Sequence, residues 1–396
     1  MPGFRRLWLS LAGSGVAQSA SQLGLSWIAL VATDSPFAVG VMFAARMIPS
    51  LLFGIPFGAL TDRFDRRRIL IRVNLLAALA GAAVAVALAM GWPALPVALV
   101  ASIGFGLFDT FRVTASQAYV VDLVGVGGAR RGVAVANIAP QSVAAIGALA
   151  GGAFLERYGS PLTFVLASVA WLFAALVLLG GVSRVRAAVE RGHPDLRSAM
   201  ALVLRNREVR ALVLLIALTE ILGFSGWVVV PTIARDILGI GASGLGVLLA
   251  ARAIGAVTLL LGLARVRPGR SPALFVGAMG AFGIGQIAFG LNTSPPLAVA
   301  LSFAIGGAAA CCDALGQTLL QQVVPDTSRG AAMGVWFFSL GFGPIGFVAI
   351  GALAEVIGAP MALVATGVAL LAVAALAVAR DPMHQLGHAV DAIGER

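Results

Sequence analysis

Lysine is absent from this chain of 396 residues, and all 27 of its basic residues are arginine, a preference that carries no function by itself. Charge of any kind is scarce at 11%, too little polar surface for a water-solvated domain of this length. Histidine is almost missing. His193, His384 and His388 all fall in polar segments, so no histidine cluster can hold a metal or activate a nucleophile inside an apolar one. The two cysteines, Cys311 and Cys312, are neighbours in an apolar run and read as packing residues, with no disulfide framework and no metal site. There is no Gly-x-x-x-x-Gly-Lys phosphate loop, which excludes direct drive by ATP, and no cofactor is expected. The net charge of +10 does not call for nucleic acid, because the placement of arginine has a topological cause.

What the chain does have is apolar surface, at 60% hydrophobic residues and a mean hydropathy of +0.99. A spanning helix needs roughly 20 apolar residues. Punctuation by Gly, Pro and Arg divides the chain into twelve such spans, at about 7–32, 36–60, 69–90, 94–119, 131–155, 162–182, 210–233, 243–264, 272–292, 297–320, 330–354 and 361–380. Arg5 and Arg6 precede the first with no small-residue cleavage site after it, so it reads as a span and not as a signal peptide.

With the N-terminus inside, one side collects Arg5, Arg6, the Arg63 to Arg72 group, Arg130, Arg131, the arginines from Arg184 to Arg210, and those from Arg265 onward. The other side keeps Arg157 and Arg235, which makes the first side cytoplasmic and puts both termini there. The expected organisation is an N-terminal six-helix bundle at 1–182, a cytoplasmic linker at 183–209, a C-terminal six-helix bundle at 210–380 and a cytoplasmic tail at 381–396. The halves also repeat one another. Ala44-Ala45-Arg46 recurs as Ala250-Ala251-Arg252, Asp109 as Asp313, and Leu155-Glu156 as Ala354-Glu355, the trace of an ancestral duplication.

The second span ends in Gly58-Ala59-Leu60-Thr61-Asp62-Arg63-Phe64-Asp65-Arg66-Arg67-Arg68. This run resembles the signature between the second and third helices of the major facilitator superfamily of transporters, and the resemblance covers the whole chain. It implies a latch on the outward-facing state made by Gly58, Asp62, Arg63, Arg66 and Arg67, with Asp122 as partner to Arg66. Asp65 stands where the family has Gly, a departure that leaves the latch intact and is expected to make the turn less well defined. The competing reading is a charged loop that only obeys the inside rule. Gly147-Ala148-Leu149-Ala150-Gly151-Gly152 is similar to the glycine-rich motif of drug:proton antiporters but has Ala148 in place of Pro. With Arg46 and the charged loop, it looks more like the branch of macrolide and enterobactin exporters.

Six charges fall at mid-depth: Arg46, Asp109, Arg112, Glu220, Arg252 and Asp313. Each costs about 2.5–3.5 kcal/mol at a helix centre on insertion scales, so they need partners or water. The repeat suggests Arg46 with Asp109 and Arg252 with Asp313, while Arg112, one turn on, competes for Asp109. Glu220 has no acidic counterpart in the first half and is the first choice for proton exchange, with Asp109 and Asp313 as alternatives. Structural ion pairing is the bland alternative for all of them. Ser10, Ser14, Gln18, Gln22 and Ser26 follow at intervals of four and form one polar stripe, facing either a cavity or another helix. Trp27, Phe108, Phe111, Phe224, Trp227, Gln317, Trp336 and Phe337 complete the expected cavity lining, interfacial anchoring being the rival for Trp27 and Trp227.

Together these features lead us to expect an all-α integral membrane protein with twelve helices in two pseudo-symmetric bundles, and no enzyme. The expected activity is proton-coupled efflux of bulky amphipathic compounds by alternating access. The alternative is a dedicated siderophore or lipid transporter, for export or import, with a membrane-embedded enzyme or receptor as a remote one. Its partners would be protons, a small-molecule substrate and the lipid bilayer of a bacterial cytoplasmic membrane, with the protein a monomer.

Overall fold

Apolar runs that must satisfy every backbone amide internally can cross a membrane only as helices or closed barrels, and the computed structural model is helical throughout its described residues. Those are residues 2–125, 129–180, 203, 206–263, 265, 271–323, 335–336 and 338–379; for residues 2, 55–60, 62–63, 129–135, 137–139 and 271 the backbone alone is described. The helices are α1 Pro2–Thr33, α2 Pro36–Arg63, α3 Arg66–Ala89, α4 Ala94–Val124, α5 Ala129–Leu179, α6 Arg207–Leu222, α7 Gly241–Leu263, α8 Ser271–Gly290, α9 Pro295–Gln322, α10 Gly343–Ile357 and α11 Ala359–Ala379. Ten stretches among the described residues are long and apolar enough to cross a membrane. One of them, Pro140–Leu179, is two helices, because α5 breaks at Gly159 with φ 79°. α1 has the length for a span but carries the polar stripe, and it is not among the ten.

Two expected spans are not continuous. The seventh, expected at 210–233, stops as α6 at Leu222 and continues as a 3-10 turn, Phe224–Val229, a short α turn, Val230–Thr232, and a π turn, Ile233–Ile237. The eleventh, expected at 330–354, is interrupted at Gly341 and Phe342 before α10 begins; Pro344 has no amide to donate across that point. Residues 330–334 and 337 of that span lie outside the described residues.

Local chemistry explains the helix starts. Ser35 accepts from the Ala38 amide with Pro36 in the first turn, and Asn206 accepts from the Glu208 and Val209 amides. Asp65, at the position where the family has Gly, caps α3 by accepting from the Arg67 and Arg68 amides at 3.0 and 3.2 Å. The departure therefore makes the turn better defined, not worse.

The chain forms two compact units, Met1–Glu190 with Ala234–Ala253, and Arg191–Ile233 with Ile254–Arg396. In the first, a Cβ at Gly147 would lie 2.4 Å from the Val16 carbonyl oxygen and one at Gly151 2.8 Å from Ala20 Cα, so the glycine-rich stretch lets α5 lie directly on α1. A Cβ at Gly106 would lie only 1.9 Å from the Arg46 carbonyl oxygen. The second unit holds a matching contact, Gly255 of α7 against the Phe303 carbonyl of α9, also 1.9 Å, with the glycine moved to the other helix of the pair.

Candidate functional site

Because Gly106 lets the backbones of α2 and α4 touch, Arg46 sits one turn from Asp109 and its guanidinium folds onto that carboxylate. Asp109 Oδ2 accepts from Arg46 Nε at 3.2 Å and from Arg46 Nη2 at 2.8 Å. It also accepts from Gln18 Nε2 at 3.3 Å, while Oδ1 accepts from Arg112. Arg112 Nη2 donates in turn to Gln18 Oε1 at 3.3 Å. Three helices thus converge on one carboxylate flanked by two cations. Beneath Arg46 lies the ring of Phe105, 5.8 Å from Cζ, and Phe105 packs on Trp171 at 4.8 Å. Neither aromatic is picked out in the sequence, where both look like ordinary apolar filling.

The stripe on α1 does not act as one surface. Ser10 donates to the Ala174 carbonyl at 2.7 Å, Ser14 to Asn74 Oδ1 at 3.1 Å and Ser26 to the Leu23 carbonyl at 2.9 Å, and all three are buried. They hold helices or their own helix together. Gln18 alone of these meets the ionic cluster, and Gln22 is half-buried.

At the charged loop, Arg66 donates to Asp122 in an ion pair, and Arg67 donates to the Leu178 carbonyl at 2.7 Å and to that of Leu179. Arg67 therefore covers free carbonyls at the end of α5, where a cation is favoured. Gly58 lies within α2; the side chains of Asp62 and Arg63 lie outside the described residues.

In the second unit, Glu220 and Asp313 line one small recess together with Phe224, Phe275, Cys312 and Trp336. Glu220 lies in the last turn of α6 and is 8% exposed. The break that follows is stabilised by side chains: Gln286 donates to the carbonyls of Leu222 at 3.3 Å and Gly223 at 2.8 Å, and Ser225 to that of Glu220 at 3.0 Å. Irregular backbone in an apolar surround needs such donors. A Cβ at Gly346 would lie 2.2 Å from Ser225 Oγ, so α10 closes over the break. Gln286 is missed in the sequence reading; an amide side chain inside the otherwise apolar ninth span, away from its ends, was the available signal.

Of the expected lining, Trp336 and Phe224 border the recess, and Trp227 is buried at 8% exposure, which removes it as a lipid anchor. Trp27, Phe108, Phe111 and Gln317 are half-buried. Phe337 lies outside the described residues. Arg252 belongs to the first unit and Asp313 to the second. Among the described residues, no group of three His, Cys, Asp or Glu side chains could hold a metal.

Residues 1–390 match the family described as transmembrane secretion effector. The chain is also 21% identical over 351 residues to the staphyloferrin A transporter of Staphylococcus aureus (strain NCTC 8325 / PS 47), covering 85% of this chain and 86% of that one. Among solved structures, it resembles a variant of the nucleoside transporter NupG, with a TM-score of 0.77 at 12% identity over 95% of this chain and 99% of the other. The peptide transporter POT in complex with sulfate follows at a TM-score of 0.73 and 16% identity, over 98% and 95%.

Proposed function

The chain belongs to the transmembrane secretion effector family of major facilitator transporters, and we propose that it is a proton-coupled exporter of bulky amphipathic small molecules. It is a multi-pass membrane transporter, not an enzyme. The observation that carries the finer reading is the pairing of Glu220 and Asp313 in one recess beside a broken helix. Glu220 is buried and Asp313 is exposed beside it, so a proton can pass between the two carboxylates and a substrate, and the aromatic side chains add apolar contact area without demanding directed hydrogen bonds.

Alternating access is the mechanism that moves a solute past such a site without opening a pore. Arg66 and Asp122, with the neighbouring Asp62 and Arg63, serve as the latch. The arginine distribution favours a bacterial cytoplasmic membrane with both termini inside, and a monomer suffices because each site is complete within one chain.

A second reading, export of a siderophore, is favoured by the surplus positive charge of the Asp109 cluster and by the likeness to the staphyloferrin A transporter. Purified protein in proteoliposomes, offered macrolides, cationic dyes and siderophores with and without a pH gradient, tests both. Accumulation that needs the gradient is the expected result. Accumulation of any solute at the same level without it contradicts proton coupling, and a preference for siderophores over drugs selects the second reading.

A further inference from the structure

The first unit contains a charge that no described residue neutralises. Arg46 and Arg112 share the single carboxylate of Asp109, and their side chains are 10% and 6% exposed. Arg46 Nη1 and Arg112 Nη1 are both buried and make no hydrogen bond. An unmade buried donor is destabilising, more so when the group is charged, and an uncompensated guanidinium at mid-depth adds the cost of its charge. A purely structural pair would need one arginine. The second arginine, held by Gln18 at 3.3 Å, is in place for an anion that comes and goes.

We propose that Arg46, Arg112 and Gln18 form a binding subsite for a carboxylate carried by the transported molecule. This rests on the reading of the chain as a transporter and names the chemistry of its substrate. An arriving carboxylate takes one guanidinium from Asp109 in a bidentate pair, Asp109 keeps the other, and two arginines then face two carboxylates. The surplus is a single positive charge, which matches a monoanionic group better than a phosphate dianion. Gln18 is half-buried and bridges the acceptor and the donor, so it can follow the exchange by turning its amide. Trp171 lies against Phe105, which lies under Arg46, and movement of that guanidinium should alter its emission.

The test is binding without transport. Full-length protein in detergent is titrated with sodium benzoate, sodium phosphate and sodium chloride at equal ionic strength, following tryptophan emission and thermal unfolding. The wild type should respond saturably to benzoate, with a rise in Tm of a few degrees, and show no saturable response to chloride or phosphate. Arg112→Gln and Arg46→Gln each leave a neutral pair with Asp109, so both should fold and bind benzoate at least tenfold more weakly. Asp109→Asn leaves two cations and should gain a larger benzoate-induced rise in Tm than the wild type. Trp171→Phe should abolish the emission change and keep the Tm shift. Equal responses to benzoate and chloride, an unchanged benzoate response in both arginine variants, or a stronger response to phosphate would each overturn the subsite. None of these results would touch the transport function, which is read separately from accumulation in proteoliposomes.

Discussion

Asp109 holds two buried cations, so the residues of its cluster should not be equivalent when removed. Replacing either arginine leaves a neutral pair, whereas Asp109→Asn leaves two like charges facing each other and should cost about 3–5 kcal/mol of stability. The double variant Asp109→Asn with Arg46→Gln should then be more stable than Asp109→Asn alone, a non-additivity that thermal unfolding in detergent measures directly. Simple additivity would contradict the contact. The three charged members of this cluster were legible in the sequence, Arg46 and Asp109 through their recurrence at matching offsets and Arg112 through its place one turn away. Phe105 and Trp171 were not legible, because an aromatic in a long apolar run has the same appearance whether it packs under a guanidinium or against lipid. Asp65 was misjudged for a different reason. Its value as a cap depends on where α3 starts, and a hydropathy pattern places a helix end only to within a few residues.

Among the elements, the lengths and order of the helices follow from hydropathy, since the bilayer thickness sets the run length and lipid forbids unpaired backbone. Breaks inside helices do not follow. Gly223 and Gly226 look like any glycines in a spanning run, and only the packed structure shows Gln286 and Ser225 donating to the carbonyls around the break. The same limit applies to close contacts. Gly106 carries no pattern in the sequence, yet its missing side chain is what lets α2 lie on α4 and brings Arg46 to Asp109. Gly106→Val should push these helices apart, weaken the Arg46–Asp109 pair and lower the unfolding temperature by several degrees, while Gly104→Val, facing open space one turn-half away, should change it little. Equal effects of the two substitutions would show that the close contact does not position the cluster.

For the whole molecule, duplication explains why each unit carries a glycine-mediated backbone contact and a mid-depth carboxylate, and divergence explains why their surroundings differ. Asp109 is tied up by arginines, whereas Asp313 shares its recess with a second carboxylate. Under the proposed function, substrate charge falls to the first and protons to the second. State switching is assigned to the loop, where Arg66 meets Asp122. Asp122→Asn should insert and fold but shift the balance between the two facing states, so cysteine accessibility measured from each side of the membrane should change and transport should fall several-fold. Unchanged accessibility with normal transport would remove the latch.

Proton coupling at Glu220 is the central claim, and the most direct measurement is paired proton and substrate flux in proteoliposomes under an imposed pH difference, comparing the wild type with Glu220→Gln. The amide mimics the protonated acid without being able to release the proton. The account predicts that the wild type concentrates substrate while protons run down their gradient, and that Glu220→Gln still exchanges substrate downhill but neither concentrates it nor moves protons. A Glu220→Gln protein that concentrates substrate as the wild type does would contradict the account.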